Sequence, residues 1–365
     1  MTEPELNTRL QTITPPDEAA RAAAHAHWAA LAKPLGGLGS LETMLEDAAA
    51  LTGTPELDFA RRAVLVLCAD NGVVAQGVSQ TDASVTRAVL ENLAARRTSV
   101  CRMAAAAHCA VVPVDMGIAG TPVAGGINCR VALGTADFTQ GPAMSRAQAV
   151  QSIACGIELV QEQKRQGVQM LATGEMGIGN TTTSAAVLAA LTHAPAQTVT
   201  GRGGGLTDAA FEKKKQVIDR ALALHRPDPA DPVGVLAAVG GLDLAAMTGA
   251  FLGCAQNHVP AVVDGYISIV AALTAVRLCP AAGEYLFLSH ASYEIGYRIA
   301  AQELGQEPCL LLGMRLGEGS GCPVMFQILR AACAVMDGMA TFPEAAIEDD
   351  YLTPIRAQDS FTVTP

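Results

Sequence analysis

The stretch VQMLATGEMGIGNTTTSAAVLAALT (168–192) decides the fold. It opens with an apolar run, VQMLA. It then passes glycines at 174, 177 and 179 with a single glutamate, Glu175, among them, and continues in a small-residue segment of helical character. A strand that enters a helix through a glycine turn is a unit of a parallel α/β sheet. Five other runs share the apolar, β-branched character: AVLVLCAD (63–70), CAVVPVDMG (109–117), PAVVDG (260–265), EYLFLSH (284–290) and CLLLGMRLGEG (309–319). They are short, continuous rather than alternating, and separated by helix-like segments, as strands buried on both faces are. Nearly every run ends in a polar residue: Asp70, Asp115, Glu175, Asp264, His290, and Arg315 with Glu318. The carboxyl ends of an open parallel sheet border one crevice, where ligands bind. An acid after a strand is equally the N-cap of the next helix, and both readings stand for Asp70 and Asp115.

The chain ends read differently. Residues 16–34 form an Ala-rich helical segment halted by Pro34, then a glycine turn and a second helix follow, and the last sixty or so residues are again helical. The expectation is an α/β fold: an open, mostly parallel sheet with helices on both faces (61–324), and a small helical domain built from both chain ends (1–60 with 325–365). Pro15-Pro16 and the tail SFTVTP (360–365) read as flexible margins.

Composition narrows the function. The 365 residues are half apolar, 16% charged and carry a formal net charge of -11. A nucleic-acid partner wants the opposite sign. The N-terminus lacks the basic start and apolar core of a signal peptide. The most apolar segments carry Asp243 and Asp264 together with glycines, so they read as core rather than membrane spans. The ten cysteines show no CxxC spacing and read as reduced core residues. These features point to the cytoplasm, with no nucleic acid, no membrane and no metal.

Three glycine clusters carry the chemistry. GEMGIGNTT (174–182) brings backbone N–H groups and a helix start toward an anion, with Asn180, Thr181 and Thr182 as short donors. It is neither a Walker loop nor the dinucleotide fingerprint, and tight strand-to-helix packing is the bland alternative. GRGGGL (201–206) precedes a helix carrying Lys213, Lys214 and Lys215. Donors beside a lysine suit a phosphate, although a solvated helix face explains at least two of the lysines. In MRLGEGSGCP (314–323), Glu318 stands between two glycines that leave room for a ligand. A carboxyl at an apolar sheet end has a raised pKa and suits a general base. No cofactor motif competes. The residues describe an α/β enzyme acting on a phosphorylated small molecule.

Taken in order, KPLGGLGSLE (33–42), DNGVVAQGVS (70–79), VDMGIAG (114–120), PAMSRAQA (142–149), GEMGIGNTT, VGGLDLAAMTGAFLG (239–253), DGYISIVAAL (264–273), SHASYEIG (289–296) and MRLGEGSG resemble the nicotinate-nucleotide:dimethylbenzimidazole phosphoribosyltransferase family of cobalamin lower-ligand assembly. The resemblance implies a homodimer with sites near the subunit interface. It implies transfer of phosphoribose from nicotinate mononucleotide to a benzimidazole nitrogen, without cofactor. It assigns Glu318 as catalytic base. Glu175, Gly177, Asn180, Thr181, Gly203, Gly204, Lys214 and Ser292 fall on the nucleotide and phosphate side, and Thr81, Asp82, Val89 and Leu316 on the base pocket.

Two departures concern the base side. Asn71 stands in DNGV where many relatives read D-H-G-V, and in SQTDASVTRAV (79–89) Thr81 and Val89 replace the serine and glutamine of some members. They leave the accepted base open. An N-ribosyl hydrolase, with Glu318 activating water, and a non-catalytic nucleotide sensor are the alternatives.

Overall fold

In the computed structural model, which describes residues 1–356, β1 (Arg62–Ala69), β2 (Ala110–Gly117), β3 (Ile127–Asn128), β4 (Met170–Met176), β5 (Ala261–Val263) and β6 (Leu286–Leu288) form one sheet. Their order is β3-β2-β1-β4-β5-β6, and every neighbouring pair is parallel. All of β1 is buried, as a continuous apolar run at the centre of a helix-flanked sheet requires. From β1 the chain steps outward to β2 and β3, then returns to β4 on the other side. The direction of winding therefore switches between β1 and β4, and the carboxyl ends there open a crevice.

Helix packing sets what lies under that crevice. The helices Arg146–Arg165 and Leu242–Gln256 approach backbone to backbone. A Cβ on Gly156 would lie 2.0 Å from the Ala246 carbonyl oxygen, and one on Gly249 2.0 Å from that of Ile153. Only glycines allow this contact, which carries the first turn of Leu242–Gln256, with the fully buried Asp243, in under the strand ends. Among the described residues no helix is long and apolar enough to cross a membrane.

Three expectations change. The run 309–319 is not a strand. It makes one bridge, His290 to Leu310, and two backbone bonds to the neighbouring segment, Ala291 N–H to Leu310 O at 2.8 Å and Tyr293 N–H to Met314 O at 3.1 Å. Gly313 then turns left-handed at φ 64°, and Leu311 and Leu312 stay 83% and 55% exposed. In place of a sixth run of that kind, the sheet gains β3, two exposed edge residues. Thirdly, Met1–Thr14 belong to the sheet unit, together with Ala60–Met325. The helix Glu3–Leu10 buries Leu6 and pairs Glu3 with Arg146 at 2.6 Å, a long-range contact that local pattern does not reveal.

The second unit comprises Pro15–Phe59 and Phe326–Pro365. Its helix Glu18–Ala30 is capped by Asp17, which accepts from the N–H groups of Ala19 and Ala20. KPLGGLGSLE is structural here. Lys33 and Glu42, both nearly buried, pair at 2.8 Å, and Glu42 also accepts from Leu38 N–H at 2.8 Å, so the turn and the helix Ser40–Thr52 are held by one carboxylate. The tail 360–365 lies outside the described residues.

Candidate active site

Beyond the carboxyl ends of β4, β5 and β6 lies a cavity of about 370 Å³, the size of a small-molecule site. Its walls come from the turn after β4, the segments 201–206 and 290–294, the start of the helix Tyr266–Leu278, and the turn carrying Glu318.

Glu318 sits in an unusual backbone. Gly317, Glu318 and Gly319 have φ of 91°, 62° and 80°, so a glutamate occupies the left-handed region between two glycines. The Ser320 hydroxyl donates to Gly317 O at 2.7 Å. Asp264, at the end of β5, accepts from Gly319 N–H at 3.2 Å and from Gly321 N–H at 2.8 Å. The turn also presses on β4, where a Cβ on Gly174 would lie 2.4 Å from the Glu318 carbonyl oxygen. Burial raises the Glu318 carboxyl above its ordinary value, opposed by the N–H of Val100, which donates to Oε2 at 3.5 Å. A half-buried carboxylate with raised pKa, facing a cavity, has the attributes of a general base.

Behind it runs a buried polar chain. Glu175 is 7% exposed, and its Oε2 accepts from Asn180 Nδ2. Asn180 Nδ2 also lies 3.3 Å from Asp243 Oδ2. Burial is the first cause that lifts Glu175 to about 8, Asp243 to about 6 and Asp264 to about 7. Gly177 and Asn180 close the turn, with Asn180 N–H donating to Gly177 O at 2.9 Å.

On the other wall, Thr181, Gly203, Gly204 and Ser292 line the cavity. Gly203 N–H donates to Glu294 Oε1 at 3.0 Å. Lys214 does not line the cavity. It is fully buried one layer behind, its Nζ donating to Thr181 Oγ1 at 2.8 Å and to Gly201 O at 3.1 Å. Burial lowers it to about 8, with Glu294 opposing.

Of the expected base-side residues, Thr81, Val89 and Leu316 line the cavity and Asp82 does not. Asp82 is exposed and accepts from Ser84 N–H at 2.9 Å. An acid two residues ahead of the helix Ser84–Ala94 is spent on the backbone turn. Sequence reading missed Gln80, Arg202, Tyr266 and Glu294 as wall residues, and gave Asp264 and His290 no role in the chemistry; all six line the cavity. Arg202 and Glu294 stand inside clusters already singled out, and the strand-end position of Asp264 was the available signal for it. Among the described residues no group of three or more His, Cys, Asp or Glu could hold a metal ion.

A family model described as "Phosphoribosyltransferase" matches residues 13–347. The chain is 42% identical over 334 residues to the nicotinate-nucleotide–dimethylbenzimidazole phosphoribosyltransferase of Clostridium perfringens, covering 91% of this chain and 92% of that one. It is 43% identical over 347 residues to the protein of the same name from Geobacter metallireducens, covering 94% and 98%. The crystal structure of the Thermus thermophilus protein of that name superposes with a TM-score of 0.85 at 38% identity, over 91% of this chain and 99% of that one.

Proposed function

The chain belongs to the nicotinate-nucleotide–dimethylbenzimidazole phosphoribosyltransferase family, and from that premise we propose how its cavity carries out the transfer. The enzyme moves phosphoribose from nicotinate mononucleotide to 5,6-dimethylbenzimidazole or a related base, in the assembly of the cobalamin lower ligand. The bond between the anomeric carbon and the nicotinate nitrogen breaks. Its electron pair stays on that nitrogen, so nicotinate leaves as a neutral ring and needs no general acid. A benzimidazole nitrogen attacks the anomeric carbon from the opposite face, and β becomes α. The ring then sheds the proton of its other nitrogen to Glu318. Glu175, on the cavity wall, binds the ribose by hydrogen bonding.

The carrying observation is the Glu318 carboxylate, held in a left-handed turn on the cavity wall. Opposite it, the segments 177–181 and 201–204 supply backbone and hydroxyl donors for the phosphate. Lys214 adds positive charge through Thr181 and Gly201, with two of its three N–H bonds engaged. The same reading makes the protein a cytoplasmic homodimer. Its ten cysteines are unpaired, and the exposed Leu311, Leu312, Tyr293 and Ile295 are suited to meet a second copy. Light scattering at micromolar concentration checks the dimer.

Mass spectrometry of the products from nicotinate mononucleotide and dimethylbenzimidazole tests the reaction. Ribazole phosphate and nicotinate in equal amounts are expected. Ribose 5-phosphate as the main product, with the base untouched, would make the enzyme a hydrolase and remove this reading.

A further inference from the structure

We propose that Asp264 is a positioning residue: its carboxylate, bridging the backbone N–H groups of Gly319 and Gly321, holds the turn that aims Glu318 at the reacting base. The inference rests on Glu318 being the base.

The geometry is that of a clamp. Asp264 closes β5 and is 3% exposed. Its two oxygens are divided, Oδ2 on Gly319 N–H at 3.2 Å and Oδ1 on Gly321 N–H at 2.8 Å. The bonds straddle Ser320, immediately after the three residues of positive φ. A turn in the left-handed region at a non-glycine residue relaxes unless its surroundings over-determine it. Two sheet-end carboxyls belong to those surroundings: Glu175 of β4, which accepts from the Glu318 N–H, and Asp264 just after β5, which takes the two amides that follow. Shape agrees, since a Cβ on Gly321 would lie 2.2 Å from His290 Nδ1 and 2.9 Å from Asp264 Oδ1. The backbone comes this close to the carboxylate because residue 321 has no side chain.

The groups around Asp264 leave it no other partner of opposite charge. His290 Nδ1 is 3.9 Å from Oδ1 and shares that nitrogen with the Ser289 hydroxyl at 3.1 Å. Burial lowers the imidazole's pKa, which disfavours its charged form. Cys322 Sγ lies 3.9 Å from Oδ1. Glu175 and Tyr297, raised first by burial, are raised further by the charge of Asp264. The carboxylate is buried among groups that do not neutralise it; it accepts from its neighbour Gly265 N–H as well, and its remaining backbone bonds go to the Gly319 and Gly321 amides of the turn.

A double-mutant cycle tests this. Asp264→Asn presents an amide NH₂ where one oxygen accepted an N–H, so one of the two bonds is lost. A misplaced base lowers kcat by about 10²-fold, with KM for nicotinate mononucleotide changed less than about threefold by the same reasoning. In a Glu318→Gln background the substitution should add nothing beyond about twofold, because groups acting as one unit are non-additive. A full further loss in that background, or a raised KM with unchanged kcat, would overturn the clamp while leaving the base assignment standing. Near-normal turnover by Glu318→Gln alone would bring down the base assignment and the clamp with it. Should Asp264→Asn fail to fold, amide exchange in the wild-type enzyme decides. The Gly319 and Gly321 amides are expected to be protected, and free exchange at both would overturn the proposal.

Discussion

The two sides of the cavity are built on opposite terms. On the side proposed to hold the nucleotide, Glu175, Asn180, Lys214 and Asp264 are 7%, 5%, 0% and 3% exposed, and each is hydrogen-bonded to named neighbours. On the side proposed to take the base, Leu316 is 59% exposed, Thr81 is exposed, and Val89 brings no hydrogen-bonding atom. Buried polar groups with fixed partners act in a low dielectric and need little reorganisation during reaction. An apolar, partly open wall can only select by shape. On the proposed assignment, the difference teaches that chemistry is fixed on one side of this site and choice of substrate is left loose on the other.

Substitution at the boundary between the two should have the largest effect. Glu318→Gln keeps size but cannot take the proton, and kcat should fall by roughly 10²–10⁴-fold, with nucleotide affinity retained in titration calorimetry. Wild-type turnover in this variant would end the division of labour drawn here. Next in size is Lys214→Ala. By removing the buried charge that holds Thr181 and Gly201 at the cavity wall, it should weaken nicotinate mononucleotide by about ten- to a hundredfold, the scale of a hydrogen bond to a charged group, and the dephosphorylated nucleoside far less. Equal weakening of both would place the phosphate away from this wall.

Smaller effects belong to the base side. In competition assays, dimethylbenzimidazole, benzimidazole and methoxybenzimidazoles should differ by about fivefold per substituent, near 1 kcal/mol. Adenine should trail them, since its amino group and extra ring nitrogens would lose water without partners. Phenols should be weak acceptors; they lack the nitrogen nucleophile but carry a proton Glu318 can take. Preference for adenine or a phenol over every benzimidazole would show that this wall reads polar groups after all.

The smallest effect is on stability. Burial raises the folded-state pKa of Glu175 from 4.5 to about 8, so the fold favours its neutral form. The stability this confers is complete below the unfolded value and is lost as pH rises toward about 8. Glu175→Gln is neutral at every pH. It should therefore raise Tm by about 2–4 °C more at pH 8.5 than at pH 5.5, read by calorimetry on the unliganded enzyme. An equal shift at both would mean that Glu175 is not held neutral by its surroundings.

The glycine frames of this site were legible because what they encode is local. A turn after a strand needs positive φ and close approach, and GEMGIGN and RLGEGSG state both in consecutive residues. The apolar runs that became β1, β2, β4, β5 and β6 were legible for the same reason, since burial on both faces leaves no polar alternation. The run 309–319 had the same apolar look, but exposure of Leu311 and Leu312 depends on what lies beside it, which pattern cannot express. β3 was invisible because two exposed residues carry no hydrophobic signal. Asp82 lies off the cavity wall, since motif position says nothing of side-chain direction. The bonds from Asp264 to a turn some 55 residues later, and the contact of Glu3 with Arg146, exist only once the chain has folded.

The left-handed glutamate at 318 has a consequence for how this enzyme can be lost. A non-glycine residue in that region costs about 1–2 kcal/mol, and glycine there costs nothing sterically. Glu318→Gly would thus relieve the turn while removing the proposed base. Mutational drift at this codon runs downhill in folding energy and toward silence in catalysis. A lineage freed from the need for the product would be expected to keep the scaffold, become slightly more robust, and turn a catalyst into a nucleotide-binding protein by one substitution.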